Sequence, residues 1–186
     1  LAGMIRIVSE REMRFFILSS CINPWNYMVK KAKSQLKKKK KFSSKSLTQT
    51  QKIAERLLRE IMQDKPKAGA SCLALFGDLG SGKTTFTKSL AKKLGIKQNI
   101  NSPTFVIFRK YPIPIKKGFS HFFHFDCYRL KTAQEAEALG FSEIISNPSN
   151  FVVLEWPENI QSLLPSSCRQ AFFEYIDPKT RKITIH

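Results

Sequence analysis

Acidic side chains are scarce in this 186-residue chain: 14 Asp and Glu face 32 Lys and Arg, giving a formal net charge of +18. An excess of that sign draws a protein toward phosphate-rich partners, with strong salt dependence, and says nothing about fold. Cysteine is sparse too. Cys21, Cys72, Cys127 and Cys168 stand far apart with no C-x-x-C pair, so neither a zinc site nor a dithiol motif is indicated. Cys72 and Cys127 fall in apolar, strand-like runs and read as small buried thiols in a reducing compartment. No apolar run approaches the length that crosses a bilayer, so no membrane partner is expected. The segment ending at Cys21 has an apolar core only from Phe15 to Leu18, too short for a signal peptide. A basic transit peptide is the stronger targeting reading, and a start at Met28 would leave residues 1–27 outside the protein. The chain is expected in the cytoplasm. No internal repeat is visible.

The basic excess is uneven. Residues 1–45 carry 12 Lys and Arg against 2 acids, and residues 46–186 carry 20 against 12. Lys37 to Lys41 are unbroken. Like charges repel and no apolar face is available, so residues 1–45 are expected to form a disordered basic extension. It is either an arm for RNA or a solvated tail without a task.

Organised sequence begins at Ser46, a helix N-cap, after which Ile53, Leu57, Leu58 and Ile61 recur at helical spacing. Pro66 and Gly69 close that helix. Ser71 to Phe76 reads as a strand, and Phe86 to Leu94 as a helix stopped by Gly95. Between them lies Gly77-Asp78-Leu79-Gly80-Ser81-Gly82-Lys83-Thr84-Thr85, which fits the P-loop pattern G-x-x-x-x-G-K-[ST]. The spacing has a physical reason. Glycines free the backbone to turn successive N–H groups inward around a phosphate, and the following helix adds its positive N-terminus. Lys83 can reach the β and γ phosphates, and the Thr84 hydroxyl can ligate the bridging Mg²⁺.

Downstream, Phe105 to Tyr111 and Phe119 to Phe125 read as antiparallel strands, the second ending in Asp126. Ala133 to Leu139 is helical, with a short turn from Phe141 to Ile145. Phe151 to Leu154 is a continuous apolar run, expected of a strand buried on both faces, and it ends in Glu155. Ala171 to Ile176 and Arg181 to Ile185 suggest a closing hairpin. In open α/β sheets, ligands bind beyond the carboxyl ends of the strands. Glu155 is therefore expected to hold Mg²⁺, and Asp126 to orient the attacking water or share the metal. Thr104 sits in a loop that could touch the γ phosphate. Trp156 reads as a packing residue, and His121 and His124 as strand residues without chemistry. Phosphotransfer to a small molecule is the competing reading. A kinase would need an acceptor-binding insertion and an arginine-rich lid, and residues 105–150 hold Arg109 and Arg129 alone. A purely RNA-binding protein would need aromatic platforms or a known module, and neither is seen.

Five segments resemble one family in order: Gly77 to Phe86, Ser102 to Phe105 (Ser-Pro-Thr-Phe), His124 to Leu130 (His-Phe-Asp-Cys-Tyr-Arg-Leu), Ala138 to Phe141, and Leu154 to Glu158 (Leu-Glu-Trp-Pro-Glu). Together they resemble the bacterial TsaE family, the ATPase of tRNA threonylcarbamoyladenosine biosynthesis. The resemblance runs from about Ser46 to the C-terminus. It implies a P-loop NTPase with a mixed, mainly parallel sheet flanked by helices over residues 46–186. It also implies work with a TsaD–TsaB pair that modifies the adenosine beside the anticodon, so that tRNA is met only through that complex. By the same resemblance Lys83 and Thr84 bind phosphate and Mg²⁺, Thr104 is a nucleotide or metal contact, and Asp126 is catalytic. Glu155 and Trp156 match the family's Glu-Trp pair.

Overall fold

The structure is a computed structural model and describes residues 39–66, 68–114 and 118–186. The expected disorder before Lys39, the RNA arm and the targeting readings lie outside the described residues. Seven strands form one sheet in the order β1-β7-β6-β2-β5-β4-β3: β1 Lys40–Ser44, β2 Ser71–Phe76, β3 Phe108–Pro112, β4 His121–Asp126, β5 Asn150–Glu155, β6 Arg169–Tyr175 and β7 Arg181–Ile185. The four central strands, β6, β2, β5 and β4, run parallel, and the flanking pairs are antiparallel. The fold is thus the expected mixed α/β sheet with a parallel centre.

Helices cover both faces. On one, α1 (Leu47–Gln63) and α2 (Lys83–Lys93) bury Leu57, Leu58, Ile61, Phe86 and Leu90 against Leu73, Leu75, Phe122, Phe151 and Val153. On the other, α3 (Ala133–Ala138) and α4 (Phe141–Ser146) bury Ala136 and Phe141 against Phe123, Phe125, Val152 and Leu154. Every residue of β2 and β5 is buried, as a central parallel strand requires. Ser46 caps α1 as its sequence suggests, accepting from the Gln49 amide at 3.2 Å. The short turn expected from Phe141 to Ile145 is a six-residue helix, Phe141–Ser146.

Three expectations change. First, Lys40–Ser44, assigned by composition to the disordered extension, is an edge strand paired with β7 from Lys40↔Ile185 to Ser44↔Arg181. Its alternation supplies the reason. Phe42 packs on the core, Ser44 Oγ lies 2.7 Å from Thr50 Oγ1, and Lys40 Nζ lies 2.7 Å from Glu60 Oε2. Burial would raise the Glu60 pKa, but the Lys40 ammonium, with Arg56 and Arg169, holds it below the ordinary carboxylate value. A neighbouring strand and a counter-charge offset the repulsion that made the lysine run look structureless, and lysines suit a sheet edge. A chain starting at Lys45 should therefore be less stable than one starting at Lys39, by about 2 kcal/mol for a five-residue edge strand. Paired thermal melts check this; equal melting temperatures would mean β1 adds nothing.

Second, the strand expected from Phe105 begins at Phe108. Val106 N closes a turn on Pro103 O at 2.9 Å, Ile107 takes φ +65°, and Phe105 is left 85% exposed. Third, Cys72 is not a free thiol: it is joined to Cys168 across 96 residues. Cys168 immediately precedes β6, the parallel neighbour of β2, which brings the two together. Cys127 stays free and buried, and burial pushes its thiol pKa far up, so it is inert.

Candidate functional site

The carboxyl ends of β2, β4 and β5 open into one cleft of about 560 Å³, lined among others by Gly80, Lys83, Thr84, Thr104, Asp126 and Glu155. That volume lies in the ordinary range for small-ligand sites, roughly 300–1,000 Å³. The three strand ends converge as their sequences suggest.

The glycine-rich loop leaves β2 with Gly77, Gly80 and Gly82 at φ +133°, +75° and +103°. Gly82 is the residue before α2. Lys83, at the start of α2, is 4% exposed. Its Nζ donates to Gly77 O at 2.5 Å and Asp78 O at 2.9 Å and lies 3.7 Å from the Trp156 ring centroid. Among the described residues no carboxylate stands within ion-pair distance of it. Burial lowers its pKa, and the more distant carboxylates of Glu155, Glu158, Asp126 and Asp78 offset that only in part. A buried ammonium without a counter-ion is a costly arrangement that an anion would relieve. Ser81 Oγ is likewise buried without a partner.

Glu155 closes β5 and is 2% exposed. Its Oε2 accepts from Thr84 Oγ1 at 2.6 Å. Its Oε1 accepts from Thr87 Oγ1 at 3.0 Å and lies 2.8 Å from His124 Nε2. Asp126 closes β4 and pairs in register with Glu155. Its Oδ2 accepts from Ser102 Oγ and, at 2.6 Å, from Thr104 Oγ1, and its Oδ1 from the Tyr128 amide at 3.2 Å. An ionised carboxylate has about four acceptor positions, and among the described residues Oδ1 accepts from the Tyr128 amide alone.

Among the described residues, two with side chains take positive φ, Ile107 at +65° and Trp156 at +59°, and both border this site. Ile107 O holds the Asp126 amide at 2.7 Å, and Trp156 follows Glu155. Strain of roughly 1–3 kcal/mol at each is characteristic of functional loops. Leu79, Phe105 and Tyr128 stand exposed around the same end of the molecule, at 88%, 85% and 64%, and Arg129 lies over the Phe105 ring.

The family model described as "Threonylcarbamoyl adenosine biosynthesis protein TsaE" matches residues 44–183. The chain belongs to the TsaE family. Curated proteins named "tRNA threonylcarbamoyladenosine biosynthesis protein TsaE" align with it. The Bacillus subtilis one is 38% identical over 112 residues, 60% of this chain and 66% of its own length. The Haemophilus influenzae one is 35% identical over 103 residues, 55% and 62% respectively. The Rickettsia felis one is 34% identical over 138 residues, 74% of each. The chain thus spans slightly less than two thirds of the first two. The crystal structure of Bacillus subtilis YdiB superposes with a TM-score of 0.59 at 28% identity, covering 80% of this chain and 84% of that one.

In this TsaE-family chain, sequence reasoning named Ser102 only within a matched segment, passed over Thr87, and read His124 as a strand residue without chemistry. Signals existed for the last two. Thr87 lies one turn beyond Thr84 on α2, on the same face. His124 precedes Asp126 by two on a strand, so the two side chains share a face. Trp156, read as packing, is also the surface on which the Lys83 ammonium rests.

Proposed function

We propose that this protein is a P-loop ATPase, with Mg-ATP bound over the loop from Gly77 to Thr85, serving tRNA threonylcarbamoyladenosine formation beside TsaD and TsaB subunits. The observation that carries the reading is the Lys83 ammonium, buried, bonded to neutral carbonyls and lacking a counter-ion. A polyphosphate supplies that counter-ion. Asp78, Leu79, Gly80, Ser81, Gly82 and Thr85 complete the cradle through their backbone N–H groups, helped by the N-terminus of α2.

The donors available suit Mg²⁺. A hydroxyl and a carboxylate, Thr84 and Glu155, are hard oxygen ligands, and a magnesium–nucleotide site takes few ligands from protein because phosphate and water provide the rest. Bound there, the ion would neutralise charge on the phosphate oxygens. The chain's own work is then positioning. Asp126 offers a further acceptor position on Oδ1 to a water and holds it for attack on the γ phosphorus, while Thr104 holds Oδ2. Lys83 stabilises the charge that gathers on the phosphoryl oxygens as the bond to ADP breaks. The exposed Leu79, Phe105 and Tyr128 fit a partner protein that covers the cleft, and turnover is expected to be slow alone and faster with that partner. Between β4 and β5 the chain builds two six-residue helices, which offers little room for a kinase's acceptor domain.

The test is phosphate release from ATP with and without Mg²⁺ and a TsaD–TsaB pair, together with co-purification of the three proteins. Asp126→Asn should lower kcat about a hundredfold with ATP affinity retained, as loss of a positioning base predicts. Mg²⁺-independent turnover, or turnover unchanged in Asp126→Asn, would refute the reading.

A further inference from the structure

Glu155 is held by donors from two different elements, Thr84 and Thr87 of α2 and His124 of β4. His124 is fully buried, and its Nδ1 has no hydrogen-bond partner among the described residues. An ionised carboxylate only accepts, so the proton of this imidazole sits on Nε2 and is given to Glu155 Oε1 at 2.8 Å. The ring is otherwise enclosed on the same sheet face as Phe122 and Val153. Packing alone would be served better by leucine or phenylalanine, since an imidazole here leaves one nitrogen unsatisfied. Among the described residues, the one hydrogen bond of the imidazole is the one to Glu155.

The carboxylate is divided in its duties. Oε1 meets His124 and Thr87, which face the interior, and Oε2 meets Thr84 at the cleft. When the Thr84 hydroxyl turns toward a metal, Oε2 loses that donor, and only the two bonds to Oε1 keep the carboxylate from rotating about its terminal torsion, which is intrinsically broad. Thr87 is the weaker of the two anchors, because its hydroxyl also lies 3.1 Å from Lys83 O and carries a single proton. We propose that His124 is a positioning residue that pins Glu155 Oε1 so that Oε2 faces the magnesium–nucleotide position. This rests on the Mg-ATP reading of the cleft and assigns a role to a histidine outside it.

The experiment compares His124→Leu, His124→Gln and His124→Asn. Glutamine can bring an N–H to about the place of Nε2; asparagine and leucine cannot. Two quantities are read for each: binding of a non-hydrolysable ATP analogue by calorimetry with and without Mg²⁺, and ATP turnover against Mg²⁺. Loss of an outer-shell partner costs roughly 10–100-fold in metal affinity. His124→Leu and His124→Asn should therefore need about tenfold or more Mg²⁺ for half-maximal turnover and lose the Mg²⁺-dependent part of analogue binding. Their metal-free analogue binding should stay as in the parent, and His124→Gln should recover to within about threefold. Should His124→Leu fail to fold, the Gln and Asn pair decides. Equal behaviour of Gln and Asn, or an unchanged Mg²⁺ requirement in all variants, overturns the positioning role while the ATPase reading stands. A parent protein that neither binds the analogue nor cleaves ATP overturns both.

Discussion

Lys83→Ala is expected to lower ATP turnover by roughly a thousandfold, the upper range for removing one preorganised transition-state donor, while leaving the melting temperature no lower than the parent's. The two halves of that result have one cause. Lys83 is 4% exposed and bonded to the carbonyls of Gly77 and Asp78 rather than to a carboxylate. Its charge is desolvated in the nucleotide-free fold, so deleting it removes an unfavourable burial together with two hydrogen bonds and a contact to Trp156. Only when phosphate occupies the loop does that charge become favourable. The pH dependence follows in sign. Burial lowers the folded-state pKa of Lys83 below its ordinary value of 10.5, so between the lowered and the ordinary value the unfolded chain holds more protons than the native one. Stability contributed by this group therefore rises with pH across that window. The parent should gain on Lys83→Ala as pH climbs toward about 10.5, and ATP should abolish the gain by stabilising the charged form. Calorimetric melts of both proteins across that range, with and without nucleotide, check it. Turnover within tenfold of the parent would remove Lys83 from the chemistry, and a large drop in melting temperature would show that its contacts outweigh its desolvation.

Gly77→Ala should cost about 3–5 kcal/mol of stability, against about 1 kcal/mol for Gly80→Ala three residues on. Both glycines sit at positive φ, +133° and +75°, so each substitution carries backbone strain. They differ in what a Cβ would meet. At Gly80 nothing lies within 4 Å. At Gly77 the new carbon would run into the carbonyl oxygen of Phe173 and would also lie 3.1 Å from Phe173 Cβ. That oxygen belongs to the backbone of β6, which is held between β2 and β7, so it cannot step aside as a side chain would. The loop must then lift away from β6, carrying the Gly77 carbonyl off the Lys83 ammonium. Nucleotide binding should fall with stability in Gly77→Ala and survive in Gly80→Ala. At this chain length the larger cost corresponds to a melting temperature lower by about 6–20 °C. Equal losses in the two variants would mean the contact with β6 is not what demands glycine at position 77.

Much of this could be read from residue order, and the parts that could not share a reason. The strand Ser71–Phe76, the loop after it and α2 follow from patterns a few residues long. So do the buried β5 and the two acids, Asp126 and Glu155, that end their strands. The lysines of β1 were misread because their partners, β7 and Glu60, lie far along the chain. The start of β3 was misplaced because Phe105 to Tyr111 is apolar enough for a strand, whereas the turn at Pro103–Val106 and the positive φ of Ile107 are imposed by the fit to Asp126. Cys72 and Cys168 gave no hint of pairing at 96 residues' separation; the adjacency of β2 and β6 joins them.

By itself, residue order determined the phosphate-cradle pattern, most of the secondary structure, and which acids stand at strand ends, because glycine spacing and hydrophobic period act within one turn or one strand. Tertiary structure alone decided that β4 lies beside β5, and hence that His124 meets Glu155. It also decided that Lys83 is left buried without a counter-ion. Those outcomes depend on strand order and on which side chains arrive from distant segments, quantities that no short-range pattern encodes.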